Sequence, residues 1–467
     1  MTENGGRGIR HHFVKDYSAI YVYNLKGGYS GAHNVFGIPY DIAITFLIKK
    51  SKQLGKANIY YSTLDELTKR KERIEIIKNT KSVANLDFKK IIPNPYDDWL
   101  NQRVEFPEHY IPVYAKKGGV VKEEGCFFRT NSNGLLTGND AKHVNFSKAE
   151  LQKQMATLTD NLTEENFRIV SYRPFTKVNA YRGKLSRRTY STAQFSPYSN
   201  FENKIFYVAP LHNESSFSII VVREIPDIVF MGGKGGGLCF PLKFVPEANT
   251  QNNLLLFNKD SEEQQIQDGL SDWILFKAQE KYSSKVTKED LFHYVYGFLH
   301  SPIYRKKYAN TLTKQAPNIP LIKEGSFWQY VKIGKELMDL HLDYENQPKL
   351  HEVKVSGQEN RKFKIGKMIY KEGSNEIKFN EYITISNIPS IAYDYTLNGK
   401  SAVWWVMNQY QVNRPQSAHK TKRIPNDPNI YAQEIDRPRY ILDLLLSVIT
   451  LSVKTLESIE QLPKDIE

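Results

Sequence analysis

A chain of 467 residues exceeds one ordinary hydrophobic core, and 40% hydrophobic with 12% aromatic content supplies the interiors of two to four globular domains at roughly 100 to 200 residues each. The 64 Lys and Arg outnumber 51 acidic residues to give a net charge of +13, a field that attracts nucleic acid or an anionic membrane. Only two cysteines, Cys126 and Cys239, stand far apart, which excludes a disulfide scaffold and fits free thiols in a reducing cytosol.

The predicted elements begin with two apolar runs. Residues 19–25 (Ala-Ile-Tyr-Val-Tyr-Asn-Leu) are rich in β-formers and break at Gly27 and Gly28; residues 42–48 (Ile-Ala-Ile-Thr-Phe-Leu-Ile) are nearly continuously apolar before Lys49 and Lys50. Both predict buried sheet strands. A third run, 58–61, leads into a helix whose start is marked by Thr63 with Glu66 three residues on, a capping box. Pro93 and Pro95 close this α/β segment, residues 1–98.

From 99 to 246 the texture is β-rich. Ser147 with Glu150 marks a helix start and Thr163 with Asn166 a weaker one; 216–222 and 228–231 predict strands. Gly232, Gly233, Gly235, Gly236 and Gly237 surround Lys234, a loop that requires positive φ or close backbone approach. From 247 to 467 helices dominate: 262–281, 291–300 capped by Thr287 and Asp290, 304–313 and 327–341. Short strands at 362–370, 376–378 and 383–385 follow. Helices at 399–409 and from Asp436 to about Leu462 finish the chain, the second with Pro438 in its first turn. The most apolar window, 440–456, carries Asp443 and Lys454 and falls short of the ~20 apolar residues that span a bilayer, so it predicts an amphipathic core helix and no membrane partner. The amino terminus, Met-Thr-Glu-Asn-Gly-Gly-Arg, has no signal-peptide pattern, and the expected location is the cytoplasm.

Between 172 and 198 six cations, Arg173, Lys177, Arg182, Lys184, Arg187 and Arg188, interleave with Phe175, Tyr181 and Tyr190 and no carboxylate interrupts them. Such cations neutralise phosphates, guanidinium forks can read guanine edges, and rings can stack on bases. A solvated basic surface beside core aromatics has the same composition, and these residues alone leave both readings open. Lys234 offers a phosphate contact in a glycine turn, or a turn with no ligand. Gly235 follows it where a nucleotide loop requires Ser or Thr. Arg414, Lys420, Lys422 and Arg423 make a second basic stretch. Asn94-Pro95-Tyr96 lacks the second proline of an Asn-Pro-Pro-Tyr motif and reads as a proline-bounded exit from the first segment. No histidine spacing suits zinc, and no nucleophile elbow occurs, so no metal and no catalytic residue is expected.

Four blocks in order resemble the carboxy-terminal part of the single-polypeptide Type I (Type ISP) restriction-modification enzymes. Gly6-Arg7-Gly8-Ile9-Arg10 with Ile20 to Leu25 and Val35-Phe36-Gly37-Ile38 resembles the last strands of their adenine methyltransferase domain. Tyr172-Arg173-Pro174-Phe175, Arg187, Arg188 and Tyr190, Ile225-Pro226-Asp227 and Gly236-Gly237-Leu238-Cys239-Phe240-Pro241-Leu242 are similar to their target-recognition region. The third block holds Tyr294-Val295-Tyr296-Gly297-Phe298-Leu299-His300-Ser301-Pro302, Tyr304-Arg305 and Phe327-Trp328. The fourth holds Trp405-Val406-Met407-Asn408-Gln409-Tyr410, Asn426-Asp427-Pro428 and Tyr440-Ile441-Leu442-Asp443-Leu444-Leu445.

The resemblance implies an α/β plus α+β fold: a partial methyltransferase sheet over 1–98, a mixed β target-recognition region over 99–246, and a helical and mixed part of the recognition region with C-terminal helices over 247–467. In that family one polypeptide carries a nuclease, a helicase-like translocase, an N6-adenine methyltransferase and the recognition region. The sequence here contains neither the glycine-rich S-adenosylmethionine loop nor an Asn-Pro-Pro-Tyr, so the chain is expected to bind no cofactor itself and to be inactive alone. The methyl donor belongs to the complete system. The implied function is the specificity portion of an adenine-methylating system, with double-stranded DNA as partner. A methyltransferase polypeptide, or a second copy, would cover the apolar strands of the first segment. The alternative is a non-catalytic interaction module without sequence-specific DNA binding.

Overall fold

A computed structural model describes residues 6–27, 34–38, 40–50, 55–65, 68–114, 124–160, 162–183, 195, 201–211, 216–233, 235–246, 266–370, 374–412 and 426–467. They belong to two compact units, Met1–Glu105 and Phe106–Glu467.

The first unit runs α1 (Arg7–Asp16), β1 (Ala19–Lys26), β2 (Ile42–Ile48), β3 (Asn58–Thr63), α2 (Arg70–Thr80) and β4 (Lys89–Ile91). The strands form one sheet in the order β2-β1-β3-β4, with β1 antiparallel to β2 and parallel to β3. Alternate residues of β1 serve its two faces. Ile20 and Val22 pack with Ile59, Val14 of α1 and Trp99, whereas Tyr23 and Leu25 pack with Leu64 and Ile77 of α2. Asn94 accepts hydrogen bonds from the N–H groups of Tyr96 and Asp98, and Asp98 pairs with Arg103 at 2.8 Å, so the Asn94-Pro95-Tyr96 stretch is a turn pinned by a buried carboxylate.

Two expectations fail here. A continuously apolar run signals a strand covered on both faces, yet β2 is the edge strand, and its Ile44, Phe46 and Ile48 are 39%, 36% and 43% exposed. The helix expected after Thr63 starts at Arg70 instead: the Thr63 hydroxyl donates to the Leu64 carbonyl at 3.0 Å rather than capping a turn.

The second unit contains β5 (Val144–Asn145), α3 (Lys148–Ala156), β6 (Phe167–Arg173), β7 (Thr176–Tyr181), β8 (Ile205–Val208), β9 (Ile219–Val222), β10 (Leu238–Pro241), α4 (Asp272–Lys281), α5 (Lys288–Phe298), α6 (Glu324–Leu342), β11 (Lys354–Ser356), β12 (Ile369–Tyr370), β13 (Ile377–Lys378), β14 (Thr384–Ser386), α7 (Ala402–Gln409), α8 (Pro428–Glu434) and α9 (Tyr440–Glu460), with further short elements between them. Its larger sheets are ordered β5-β7-β6, β9-β8-β10 and β11-β14-β13-β12.

The β9-β8-β10 sheet separates two cores. Ile205, Tyr207, Ile220 and Cys239 face a cluster shared with β6, β7, the β11–β14 sheet, α7 and α9. Phe206, Val208, Ile219, Val221 and Phe240 face the other, built on α5 and α6, where Phe206 stacks on Phe292 with ring centroids 3.9 Å apart. Four-residue strands buried on both faces read as unbroken apolar runs. Strands of the β-rich stretch and helices of the carboxy-terminal stretch therefore bury into common interiors. Helices α5 and α6 meet at Gly297 and Gly334: a Cβ on Gly334 would strike the His293 carbonyl oxygen, so this close crossing requires glycine.

The helix caps at Ser147 and Thr287 form as expected; Thr287 and Asp290 cap each other reciprocally, whereas Ser147 accepts from Glu150 N–H but its own N–H goes to Asn145 Oδ1, so the box there is only half made. Gly232, Gly233 and Gly235 adopt φ of +70°, +90° and +85°. Residues 228–231 form a turn rather than a strand, because the Asp227 carboxylate accepts the Val229 N–H at 3.0 Å and bends the chain. Thr163 opens only a 3-10 turn, Glu164–Asn166, before β6. Of the helix expected over 262–281, residues 262–265 lie outside the described residues, and among the rest it starts at Asp272, capped by the Ser271 hydroxyl.

Helix α9 is buried all round as far as Thr455 except at Asp443 and Lys454, rather than along one stripe. Its few polar groups are satisfied. Ser447 donates to the Tyr344 carbonyl and accepts from Gln347 N–H, Thr450 donates to the Pro348 carbonyl, and Thr455 meets His341 Nε2 at 2.9 Å. Among the described residues no helix is long and apolar enough to cross a membrane.

His341 links α6 to both neighbours, its Nδ1 lying 2.5 Å from the Tyr296 hydroxyl. Burial, with Arg305 adding to it, presses its pKa down to about 3, and burial lowers His143, His293 and His300 as well. Unfolding frees these imidazoles to take protons below about pH 6.5, so stability present at neutral pH is lost on acidification. Asp227, raised by burial to about 6, acts in the opposite direction but is one group against four. Urea titrations should show unfolding free energy falling between pH 6.5 and 4, with about 1.4 kcal/mol per pH unit from His341. His341→Gln should flatten that slope.

Candidate nucleic-acid interface

Of the cations singled out in the sequence, Arg173, Lys177 and Arg182 lie among the described residues; Lys184, Arg187, Arg188, Lys234, Arg414, Lys420, Lys422 and Arg423 lie outside them. Arg173 ends β6, beside the tight turn at Pro174 and Phe175, whose φ is +59°. Its Nη1 contacts Asp227 Oδ1 at 2.7 Å, and its guanidinium carbon sits 3.9 Å from the Tyr172 ring centroid. Lys177 on β7 bridges Glu345 at 2.9 Å and Glu224 at 3.4 Å. Burial opposes its charge, but the two carboxylates outweigh burial and hold its pKa above the ordinary lysine value. Glu345 also accepts from the Tyr440 hydroxyl of α9, and Glu224 from Ser171. Arg173 and Lys177 are thus committed to carboxylates inside the fold. Arg182 follows β7, where burial, with Arg168 beside it, brings its pKa down to about 10.

A different set of cations is uncommitted. Residues 361–369, 378–382 and α8 enclose a cleft of about 850 Å³, lined by Arg361, Lys362, Lys364, Lys367 and Lys378 against a single acid, Glu381. Ile365, Met368, Ile377 and Phe379 turn into the core while Lys364, Lys367 and Lys378 are exposed; only Ile377 and Lys378 of these lie in a strand, β13, and the strand expected over 362–370 forms only at Ile369–Tyr370. Among the described residues these five cations make no ion pair or side-chain hydrogen bond.

Neutral groups hold this basic ribbon in place. Asn380 donates to the carbonyls of Lys362 and Lys364 at 2.8 and 3.0 Å and accepts from Tyr382 and Ile383 N–H. Asn429 of α8 accepts from Ile365 N–H at 2.8 Å and donates to its carbonyl at 2.9 Å, a side-chain copy of a strand pairing. Lys362 Nζ lies 4.2 Å from the Tyr382 ring centroid, and the Arg439 guanidinium lies 5.7 Å from that of Phe363. Gly357, at φ +77°, leaves room for the Tyr382 carbonyl that a Cβ would occupy. Val412 N–H donates to the Gly366 carbonyl at 2.8 Å, and Asn426 begins the segment leading into α8, so both described ends flanking the expected basic stretch 414–423 adjoin the cleft residues in sequence or contact.

Residues 362–370 read in the sequence as a plain strand, and the cleft is missed there. The signal they do carry is four cations within 361–367 uninterrupted by a carboxylate.

Breaking a buried pair from one side leaves a charge unpaired. Arg173 and Asp227 side chains are 15% and 4% exposed. Asp227→Ala should lower the urea unfolding free energy by about 3 to 5 kcal/mol, and replacing both partners by apolar residues of similar volume should recover most of that loss.

Over residues 159–444 the sequence matches the family model of the Type ISP C-terminal specificity domain. The structure resembles the ATP-dependent Type ISP restriction-modification enzyme LlaBIII bound to DNA, with a TM-score of 0.85 and 32% identity, covering 99% of this chain and 32% of that one. A nuclease-deletion mutant of the Type ISP enzyme LlaGI in complex with a DNA substrate mimic gives a TM-score of 0.81 and 28% identity over 99% of this chain and 45% of that one. The DrdV–DNA complex shares the fold, at a TM-score of 0.81 and 21% identity over 99% of this chain and 49% of that one. The chain spans about a third to a half of the length of these proteins. No curated protein matches it. The matched span exceeds half of the sequence, and with a mixed α/β fold shared along nearly its whole length this chain belongs to the Type ISP C-terminal specificity domain family.

Proposed function

We propose that this chain recognises a DNA target for an N6-adenine-methylating restriction-modification system. The observation that carries the reading is the cleft of five unpaired cations in a chain whose structural neighbours were solved bound to DNA. With the ribbon backbone held by neutral amides and Lys362 over the Tyr382 ring, those cations are not taken up by carboxylates among the described residues and can neutralise phosphates, releasing counterions on binding. Arg173 and Lys177 act as internal struts of the same unit in this reading. Arg182, Lys184, Arg187, Arg188, Lys234, Arg414, Lys420, Lys422 and Arg423 remain candidate phosphate or base contacts.

Methyl transfer and the S-adenosylmethionine it consumes belong, on this proposal, to a polypeptide carrying the donor loop and the Asn-Pro-Pro-Tyr motif, in the cytoplasm. The exposed Ile44, Phe46 and Ile48 of β2 favour such a partner, or a second copy: an apolar edge strand offers unpaired backbone groups for strand addition. Phe46→Lys should abolish co-purification with that polypeptide while leaving DNA binding by the chain intact.

Anisotropy titrations on duplex DNA across a salt series, followed by selection from a random duplex pool, test the DNA reading. A steep fall of affinity with salt and enrichment of one short sequence are expected; weak, sequence-indifferent binding would instead favour an interaction module. Lys364→Gln and Lys367→Gln should each weaken binding to all sequences alike and reduce the salt slope by about 1.

A further inference from the structure

The polar groups that line the cleft are not equally available for base recognition. Asn380 and Asn429 have the amide chemistry suited to adenine, but both spend their oxygen and their nitrogen on backbone groups of the ribbon and the adjoining turn. The aromatic faces are in use too, Tyr382 by Lys362 and Phe363 by Arg439, so a stacked base would have to displace a cation from either ring. Glu381 is exposed and accepts only, and it stands among groups that draw in phosphates. Gln433 remains. It is exposed on α8, across the cleft from the ribbon, and its side-chain amide makes no hydrogen bond among the described residues.

Taking the cleft as a DNA contact, as proposed above, we infer that Gln433 reads a base: its amide donates to adenine N7 and accepts from the adenine N6 amino group in the major groove, while the ribbon cations hold the flanking phosphates. The division of labour follows from chemistry. Point charges on Lys364, Lys367 and Lys378 attract any phosphate equally, whereas a glutamine amide carries one donor and one acceptor at the spacing that only adenine matches in the major groove. The helix that carries Gln433 is fixed to the ribbon by the Asn429–Ile365 pair, so reader and phosphate anchors share one rigid frame.

Selection of bound duplexes from a random pool, run in parallel with the full chain and with Gln433→Ala, tests this. The expected result is that the variant keeps the salt dependence of the parent and loses preference for adenine at one position by about tenfold or more, all other positions being unchanged. Gln433→Glu should shift that position away from adenine. If the variant selects the parental sequence with undiminished preference, or loses affinity equally for every sequence, Gln433 is not a base reader although the cleft still binds DNA. If the parent itself enriches no sequence, the DNA-recognition reading falls and this inference with it.

Discussion

The second unit is organised by the need to bury α9 on every side. A helix apolar round its circumference has to be surrounded, and here it is enclosed by α7, α6, the β11–β14 sheet and the segment from Tyr344 to Pro348. Ser447, Thr450 and Thr455 prevent that burial from stranding polar groups by pairing with the segment after α6 or with His341 at its end, and Ser452 donates to the Val448 carbonyl within the helix. Since a buried donor without a partner costs about 1 to 3 kcal/mol, these pairings specify how α9 sits along α6 as well as stabilising the contact. Glu345, in that same segment, then receives Lys177 from β7 and Tyr440 from α9. Helix, strand and segment are locked at one point.

This lock explains why the middle basic stretch divides. A net charge of +13 says that cations are in excess, not which of them face solvent. Arg173 and Lys177 neutralise Asp227, Glu224 and Glu345 in a place where an isolated carboxylate would be costly, and Asp227 and Glu345 lie 54 and 168 residues away from their cations in sequence. No local pattern reports such distant neighbours. The absence of carboxylates between 172 and 198, which suggests a free polycationic ribbon, holds along the chain but not in space around Arg173 and Lys177.

What the sequence does reveal follows the same rule. Features decided within a few residues are legible: the caps at Ser147 and Thr287, the positive φ of the glycine loop, strand β1, and helices α5 and α6 to within a few residues. Features decided by distant packing are not. The apolar composition of β2 says nothing about its position at a sheet edge, the hydrophobic window at 440–456 does not show whether one face or all faces are covered, and the turn at 228–231 depends on an aspartate that also serves Arg173. The cleft illustrates both sides: its cations are dense in the sequence, but their freedom from carboxylates is a property of the folded neighbourhood.

The two sets of cations show how a basic protein can keep part of its charge for a ligand. Where a guanidinium or ammonium must be buried, a carboxylate is the effective partner, because only an opposite charge offsets desolvation. Such a cation has little left to offer a phosphate, since binding would strip away a partner already at 2.7 to 2.9 Å. At the surface, positioning can be achieved without neutralisation. Asn380 and Asn429 grip the backbone rather than the charged tips, and Tyr382 presents a ring quadrupole that orients Lys362 without cancelling it. The ribbon from Arg361 to Lys367 is therefore both ordered and electrostatically unspent. That combination lowers the ordering cost of an encounter with a polyanion and leaves the attraction intact, which is the physical reason the cleft, rather than Arg173 and Lys177, is the stronger candidate for contact.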